Sequence, residues 1–324
     1  MRIPPNFFGI AFGLTSLSEV WNTARAIVGV PVVVPRVLAV FAAAVWLVLV
    51  SCYLAQGRAQ IVADLRDPVL APFTAGAVIA PMFLGAELAS VAPTAGRVVV
   101  VTFLALTVAL GGWLTGQWMR GGIPPVDYHP GYLVPTVAGG LVGGDAAAAV
   151  HLHAVAAASF GTGVISWLVL GSTVFGSLFF QAPLPGALVP TLAIEVLPPA
   201  AAGSAWFALD RGAVNLVAYA IGGYTILMML VQLRLIPVYR GLRYTPAFWV
   251  FTFCYASAAT DALNWLEHTR PAGAAGWGIA VLTLISGLVA AIGARTIVAI
   301  VKGQFLPGAE HAGEPRPFTT GDAQ

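Results

Sequence analysis

Two stretches decide the class of this chain: VLAVFAAAVWLVLVSCYLA at 37–55 and VVVVTFLALTVALGGWL at 98–114. Neither holds a charged residue, and each approaches the roughly 20 apolar residues an α-helix needs to cross the hydrocarbon core of a bilayer. The rest of the chain is of the same kind. It is 59% hydrophobic and 9% charged, with a mean hydropathy of +0.88, whereas a soluble domain carries about 25% charged residues. That composition excludes a water-soluble globular class. The 324 residues have room for about ten spans with short connections and none for a separate soluble domain.

Apolar stretches bounded by charges and Pro/Gly clusters place the spans at 6–26, 33–56, 69–91, 97–119, 129–144, 147–181, 187–209, 212–236, 246–266 and 274–302. The fifth is expected to be short or broken, because Gly139, Gly140, Gly143 and Gly144 interrupt it. These spans make 1–303 one membrane domain, and 304–324 reads as a polar, disordered cytoplasmic tail. The N-terminal stretch carries Arg2, Pro4, Pro5 and Glu19 with no small-residue cleavage signature, so it reads as a retained first helix. Cys52 and Cys254 lie in apolar stretches, as small core residues do.

The odd spans differ from the even ones. They carry Gly9, Gly13, Ser16 and Glu19; Pro81, Gly85 and Glu87; Pro135 and Thr136; Glu195, Pro198 and Pro199; and Thr252, Ser257, Thr260 and Asp261. Broken or polar backbone at membrane depth is tolerated only where protein or a water-filled cavity surrounds it. The alternation therefore implies an all-α fold of ten transmembrane helices in five hairpins, with five kinked inner helices around a pore and five outer helices facing lipid. Of the fifteen Lys and Arg, ten fall on one side if both termini share it and five on the other. The excess places both termini in the cytoplasm.

The intramembrane acids are the least expected feature of an anion pathway. A charged carboxylate at mid-membrane costs roughly 2.5–3.5 kcal/mol, so Glu19, Glu87, Glu195 and Asp261 cannot all be bare. Glu19 and Asp261 read as lying near helix ends at the interface. Glu87 and Glu195 read as deeper, and with Asp261 they are candidates for proton-linked transport; Arg295 is the obvious cationic partner. His151 and His153, two residues apart, would point about 200° apart on a helix, so with His129 they do not read as a metal site. There is no G-x-S-x-G, H-E-x-x-H or P-loop, and the Gly-rich run at 139–144 lacks the Lys-Ser/Thr of a phosphate cradle. No catalytic residue, metal, cofactor or nucleic-acid partner is expected, and the missing constellation disfavours a membrane-embedded enzyme.

Four stretches carry a resemblance: Phe8-Gly9-Ile10 with Gly13-Leu14 and Trp21; Leu133 to Gly139, LVPTVAG; Ser159-Phe160-Gly161 with Trp167; and Trp249-Val250-Phe251-Thr252-Phe253. Their order and spacing, over nearly the whole chain, are similar to the tellurite-resistance/C4-dicarboxylate transporter family, which includes TehA-like proteins and the slow anion channels. The resemblance implies a bacterial inner-membrane homotrimer with one pore per protomer, conducting small inorganic or organic anions. It implies Phe253 of the ninth helix as the gate, with Phe8, Gly13, Gly85, Pro135, Thr136, Gly139, Pro198 and Thr252 lining the pore. Two positions depart from the pattern: Cys254 follows the gate where the family usually has proline, and Ala11 stands where many bacterial members have proline. The alternative is a proton-coupled carrier of sulfite, C4-dicarboxylate or tellurite-like oxyanions.

Overall fold

The structure is a computed structural model that describes residues 2–305, so all but the first two residues of the tail expected at 304–324 lie outside the described residues. Among the described residues every regular element is helical. The ten windows are occupied by α1 (Phe8–Thr23), α2 (Val33–Leu54), α3 (Gly76–Ala89), α4 (Pro93–Met119), α5 (Gly139–Ala149), α6 (His153–Phe180), α7 (Leu197–Leu209), α8 (Leu216–Arg240), α9 (Trp249–Thr269) and α10 (Ala274–Val301).

Seven segments among the described residues are long and apolar enough to cross a membrane. Five are α2, α4, α6, α8 and α10; the others are α3 and α7, taken with the turns that lead into them as Ala71–Ala89 and Val189–Leu209. Burial separates the two groups. Only 17–28% of the residues in the best window of each even helix are buried, against 56% for Ala71–Ala89 and 78% for Val189–Leu209. Large apolar side chains such as Phe41, Leu168, Leu230 and Leu284 stand exposed on the even helices, a surface that suits lipid and not water.

The buried helices close on one another. α1 packs against α3 and α9, α3 against α5, α5 against α7, and α7 against α9. Each even helix packs on the odd helix before it: α2 on α1, α4 on α3, α6 on α5, α8 on α7 and α10 on α9. Small residues let the inner backbones approach. A Cβ on Gly13 of α1 would lie 2.8 Å from Thr252 Cβ of α9.

Each inner helix is entered through a proline-bearing 3-10 turn: Pro5–Phe7, Ala71–Ala75, Pro130–Leu133, Val189–Val196 and Pro246–Phe248. Proline suits the first positions of a helical segment because its φ is preset and it has no N–H to leave unpaired. These five turns touch one another in the same cyclic order as the helices they open. The N-termini of the inner helices thus converge at one end of the molecule. Phe305 packs on Phe7 with ring centroids 4.8 Å apart, so the chain returns to that end after α10.

The fifth span departs from the expectation in where it breaks. The irregular turn is the π-turn Val134–Ala138 around Pro135, and the four glycines stay within α5. Proline is the stronger breaker because it cannot donate to the ladder. The glycines serve packing, since a Cβ on Gly140 would lie 2.7 Å from the backbone N of Gly163 in α6.

That contact yields a stability test. Gly140→Ala should lower the unfolding temperature in detergent by several degrees, an overpacking cost of about 1–3 kcal/mol, because the obstructing atoms are backbone. Gly112→Ala in α4, where an added Cβ meets nothing within 4 Å, should leave it unchanged or slightly raised. Equal shifts in both would mean that the α5–α6 crossing is not the close contact described.

Candidate functional site

All five inner helices border one small cavity. Its lining is Ser16 and Glu19 from α1, Phe83 from α3, Val142 and Asp145 from α5, Ala201 and Ser204 from α7, and Ser257 and Thr260 from α9. Four of the five helices contribute a pair three residues apart, the spacing that puts two side chains on one helix face. The volume is about 20 Å³, room for about one water.

One helical turn below the cavity lies an aromatic layer. Phe253 stacks on Phe12 with centroids 4.5 Å apart and planes 11° from parallel, and Phe12 meets Phe83 at 6.2 Å. Ser257 and Ser16 sit four residues beyond Phe253 and Phe12, so each helix carries a ring and then a hydroxyl along the same face. Ser257 Oγ donates to the Phe253 carbonyl at 3.0 Å. The hydroxyls of Ser16 and Ser204 have no hydrogen-bond partner among the described residues, which leaves them free to donate into the cavity. Phe251 faces the other way, onto Tyr239 of α8 at 4.9 Å and Phe248 at 5.5 Å.

The carboxylates divide into three settings. Glu19 and Asp145 line the cavity and interact electrostatically with each other, and Glu87 is a further neighbour of Glu19. Glu87 also has a cationic partner, Arg36 of α2, at 3.8 Å. Arg295 is elsewhere, at the opposite end of the inner helices beside Tyr244, so the partner the sequence suggested is replaced by one that a separation of 51 positions had hidden. Glu195 is 5% exposed with neither carboxylate oxygen hydrogen-bonded, and it lies within electrostatic reach of Tyr224 and Cys254. Asp261 is 2% exposed. It packs against Gly203 of α7 and bonds Thr225 of α8, turned away from the cavity its neighbour Thr260 lines.

The eight positions expected along a pore fall outside this lining. Phe8 packs edge-on against Tyr53 at 5.3 Å, and Gly13 and Thr252 meet each other at the α1–α9 crossing. Gly85 faces Val99 and Val100, and Gly139 faces Thr107, all on α4. Pro135 and Thr136 lie against Gly111 of the same helix, while Pro198 is buried at the start of α7. Phe12, Phe83 and Ser204 went unnoticed in the sequence. The signal that would have found the two rings is the four-residue spacing from Phe12 to Ser16 and from Phe83 to Glu87. His129, His151 and His153 stay outside the site: His129 accepts from Gly131 N at 3.1 Å, and His151 and His153, at the turn that opens α6, have rings 6.4 Å apart.

Comparison with known proteins places this geometry. The family model described as "SLAC1: Voltage-dependent anion channel" matches residues 2–297. The chain is 26% identical to the tellurite resistance protein TehA homolog of Haemophilus influenzae over 315 residues, which is 94% of this chain and 92% of that protein. It is 24% identical over 328 residues to the S-type anion channel SLAH2 of Arabidopsis thaliana, covering 95% of this chain and 61% of the plant protein. With the S-type anion channel SLAH3 of the same plant it shares 24% identity over 281 residues, 82% of this chain and 43% of the relative. The plant channels are thus considerably longer than the part this chain matches.

The cavity is open to a direct chemical test. Ser257→Cys, on the lining, should react with a small methanethiosulfonate reagent at least about tenfold faster than native Cys254, which is fully buried and does not line the cavity, since modification needs a hydrated thiolate. Mass shifts of the intact protein report both rates. Equal protection at 254 and 257 would remove the cavity as a hydrated site.

Proposed function

The chain belongs to the voltage-dependent anion channel family, and from that premise we propose that it is an anion channel of the cell membrane, a passive path for small inorganic or organic anions closed at Phe253. The family is one of channels and transporters, not of enzymes. The observation that best supports an anion as cargo is the ring of five proline-led turns, which gathers five helix N-termini at one mouth. Each N-terminus carries about half a positive charge, and their convergence attracts anions without a fixed cation in the path. The unpartnered hydroxyls of Ser16 and Ser204 offer donors beyond the aromatic layer.

The remaining architecture follows from the same contacts. That all five inner helices start at one ring, to which each outer helix would return the chain, supports ten crossings in five hairpins over 1–303. The packing of Phe305 on Phe7 is consistent with both termini on one side, and the ten basic residues on that side favour the cytoplasmic face of a bacterial inner membrane. One chain supplies every residue of the cavity lining, which supports one pore per protomer. Assembly as a homotrimer rests on the family resemblance alone.

Phe253 is the side chain we assign to the closure, because its ring and that of Phe12 lie parallel directly below the cavity. An aromatic layer that excludes water denies an anion its hydration shell. Phe253→Ala should raise anion conductance in planar bilayers by an order of magnitude or more. Phe251→Ala, which removes an equal ring from the face packed on Tyr239, should not, although both deletions cost stability, up to about 3–5 kcal/mol when buried. A rise in both or in neither would end the assignment of Phe253.

A second reading, proton-coupled export of sulfite, C4-dicarboxylate or tellurite-like oxyanions, is favoured by one observation: among the described residues both carboxylate oxygens of buried Glu195 and one of buried Asp261 lack a hydrogen-bond partner. Glu87, held by Arg36, is the weaker candidate. If coupling operates, Glu195→Gln or Asp261→Asn should flatten the pH dependence of flux into proteoliposomes, while Glu87→Gln should leave most of it. An unaltered pH profile in the first two would leave the passive channel.

A further inference from the structure

At the end where the inner N-termini converge there is a second, larger cavity of about 340 Å³. It lies between the α8–α9 connection and the end of α10. Its polar lining is Tyr244, Thr245, Arg295, Lys302 and Gln304, and its apolar lining includes Val298 and Phe305. Arg295 and Lys302 are seven residues apart, two helical turns, and so project from one face of α10. No Asp or Glu occurs in 234–256 or 274–305, whereas Arg234, Arg240, Arg243, Arg295 and Lys302 do. The ion pairs among the described residues, Arg2 with Asp64 and Arg36 with Glu87, leave both lining cations without a carboxylate.

Cations at the C-terminal end of a membrane helix suit the helix dipole and anchor the span at the interface. That account alone does not explain a walled cavity. Here the wall is fixed: Tyr244 Oη and Thr296 Oγ1 are 2.5 Å apart, and Trp249 Nε1 donates to the same Thr296 oxygen at 2.9 Å. The hydrogen bonds tie the α8–α9 connection to α10 and to the first residue of α9. The volume is within the range of small-ligand sites, roughly 300–1,000 Å³. A wall with unpaired cations and hydroxyl donors beside apolar side chains, at the edge of an apolar helix, matches an amphiphile with an anionic phosphate ester and hydrocarbon chains. Basic pockets between transmembrane helices take such headgroups.

We propose that the cavity formed by Tyr244, Thr245, Arg295 and Lys302 is a binding site for the phosphate ester of an acidic membrane lipid. Arg295 supplies a planar fork for two phosphate oxygens and Lys302 a point charge. Thr245 and Gln304 supply neutral donors, and Val298 and Phe305 meet the first carbons of the chains. The site is separate from the cavity beyond the aromatic layer, so it stands or falls independently of the channel reading.

The test is lipid retention by the intact, full-length protein, released from mixed micelles of phosphatidylglycerol and phosphatidylcholine and weighed by native mass spectrometry. Wild type should keep phosphatidylglycerol selectively, and Arg295→Gln with Lys302→Gln should weaken retention by about 30-fold, two contacts at about 1 kcal/mol each. The swap Arg295→Lys with Lys302→Arg, which keeps both charges, should restore most of it, and Arg97→Gln with Arg120→Gln, outside the lining, should change nothing. Unchanged retention in the double Gln variant, or an equal loss in the Arg97/Arg120 control, would overturn the site. A further arm replaces phosphatidylglycerol with soluble glycerol phosphate in phosphatidylcholine micelles. Retention of that anion as strongly as of the lipid would overturn the lipid as occupant.

Discussion

Hydrocarbon offers no hydrogen bond to a backbone group, and every other feature of this molecule is arranged around that constraint. Of the helices that show their sides to lipid, α2, α4 and α10 run as unbroken α-helix, and α8 carries a proline, Pro237, only in its last turn. α6 includes a π-turn at Trp167–Gly171, which shifts the ladder without leaving it unpaired. The 3-10 entries, the in-helix Pro81 and the Pro135 turn all belong to inner helices. Those segments are shielded by an outer layer, so their free carbonyls and amides face protein or the cavity. An outer ring that supplies its own backbone bonding is thus what permits an irregular interior, and an irregular interior is what can line a path for ions.

The close approach of α1 and α9 carries that argument to the aromatic layer. Gly13 admits Thr252 so closely that no side chain fits between them, and one residue away on each helix Phe12 and Phe253 come into parallel contact. The stack is therefore a consequence of backbone spacing as much as of ring chemistry. Gly9 extends the same groove, because a Cβ there would stand 3.7 Å from the Phe253 ring. α9 itself is an uninterrupted helix through Cys254. The position of Phe253 thus depends on packing against α1 and not on a kink in its own helix.

Much of the fold was legible because lipid exposure writes a strong signal. A run such as 37–55 has one interpretation, and the polar interruptions of alternate spans mark the helices kept from lipid. Glycine was the misleading letter: at 139–144 it reads as a breaker, yet inside a bundle its missing side chain is worth more as packing space, and Pro135 makes the turn. The cavity was legible only in part. Ser16, Glu19, Ser257 and Thr260 stand out as polar residues in apolar helices, but Phe12 and Phe83 look like any other phenylalanine among seventeen. Their role comes from which face they occupy, and that is fixed by helices far apart in the chain. The Arg36–Glu87 pair was hidden for the same reason, since it joins α2 to the end of α3 across a turn of the bundle.

The two sides of the aromatic layer are electrically unlike, and the difference bears on how an anion would pass. At the end where the inner helices begin, five helix N-termini converge, with Arg240, Arg243, Arg295 and Lys302 outnumbering Asp64, Asp67 and Asp127 near the same end, and they make an attractive mouth. Beyond Phe12 and Phe253 the cavity holds Glu19 and Asp145 among hydroxyls. An anion drawn to the first side would have to cross an apolar layer into a region where two carboxylates oppose it unless they carry protons or stand close to water. On the channel reading proposed above, the barrier would be more than the ring of Phe253. It combines lost hydration at the aromatic layer with the charge beyond it, and only the first is removed by displacing a side chain. Passage in the two directions meets these terms in opposite order, so the asymmetry is a property of the charge layout along α1 and α9 and would persist with the aromatic layer open.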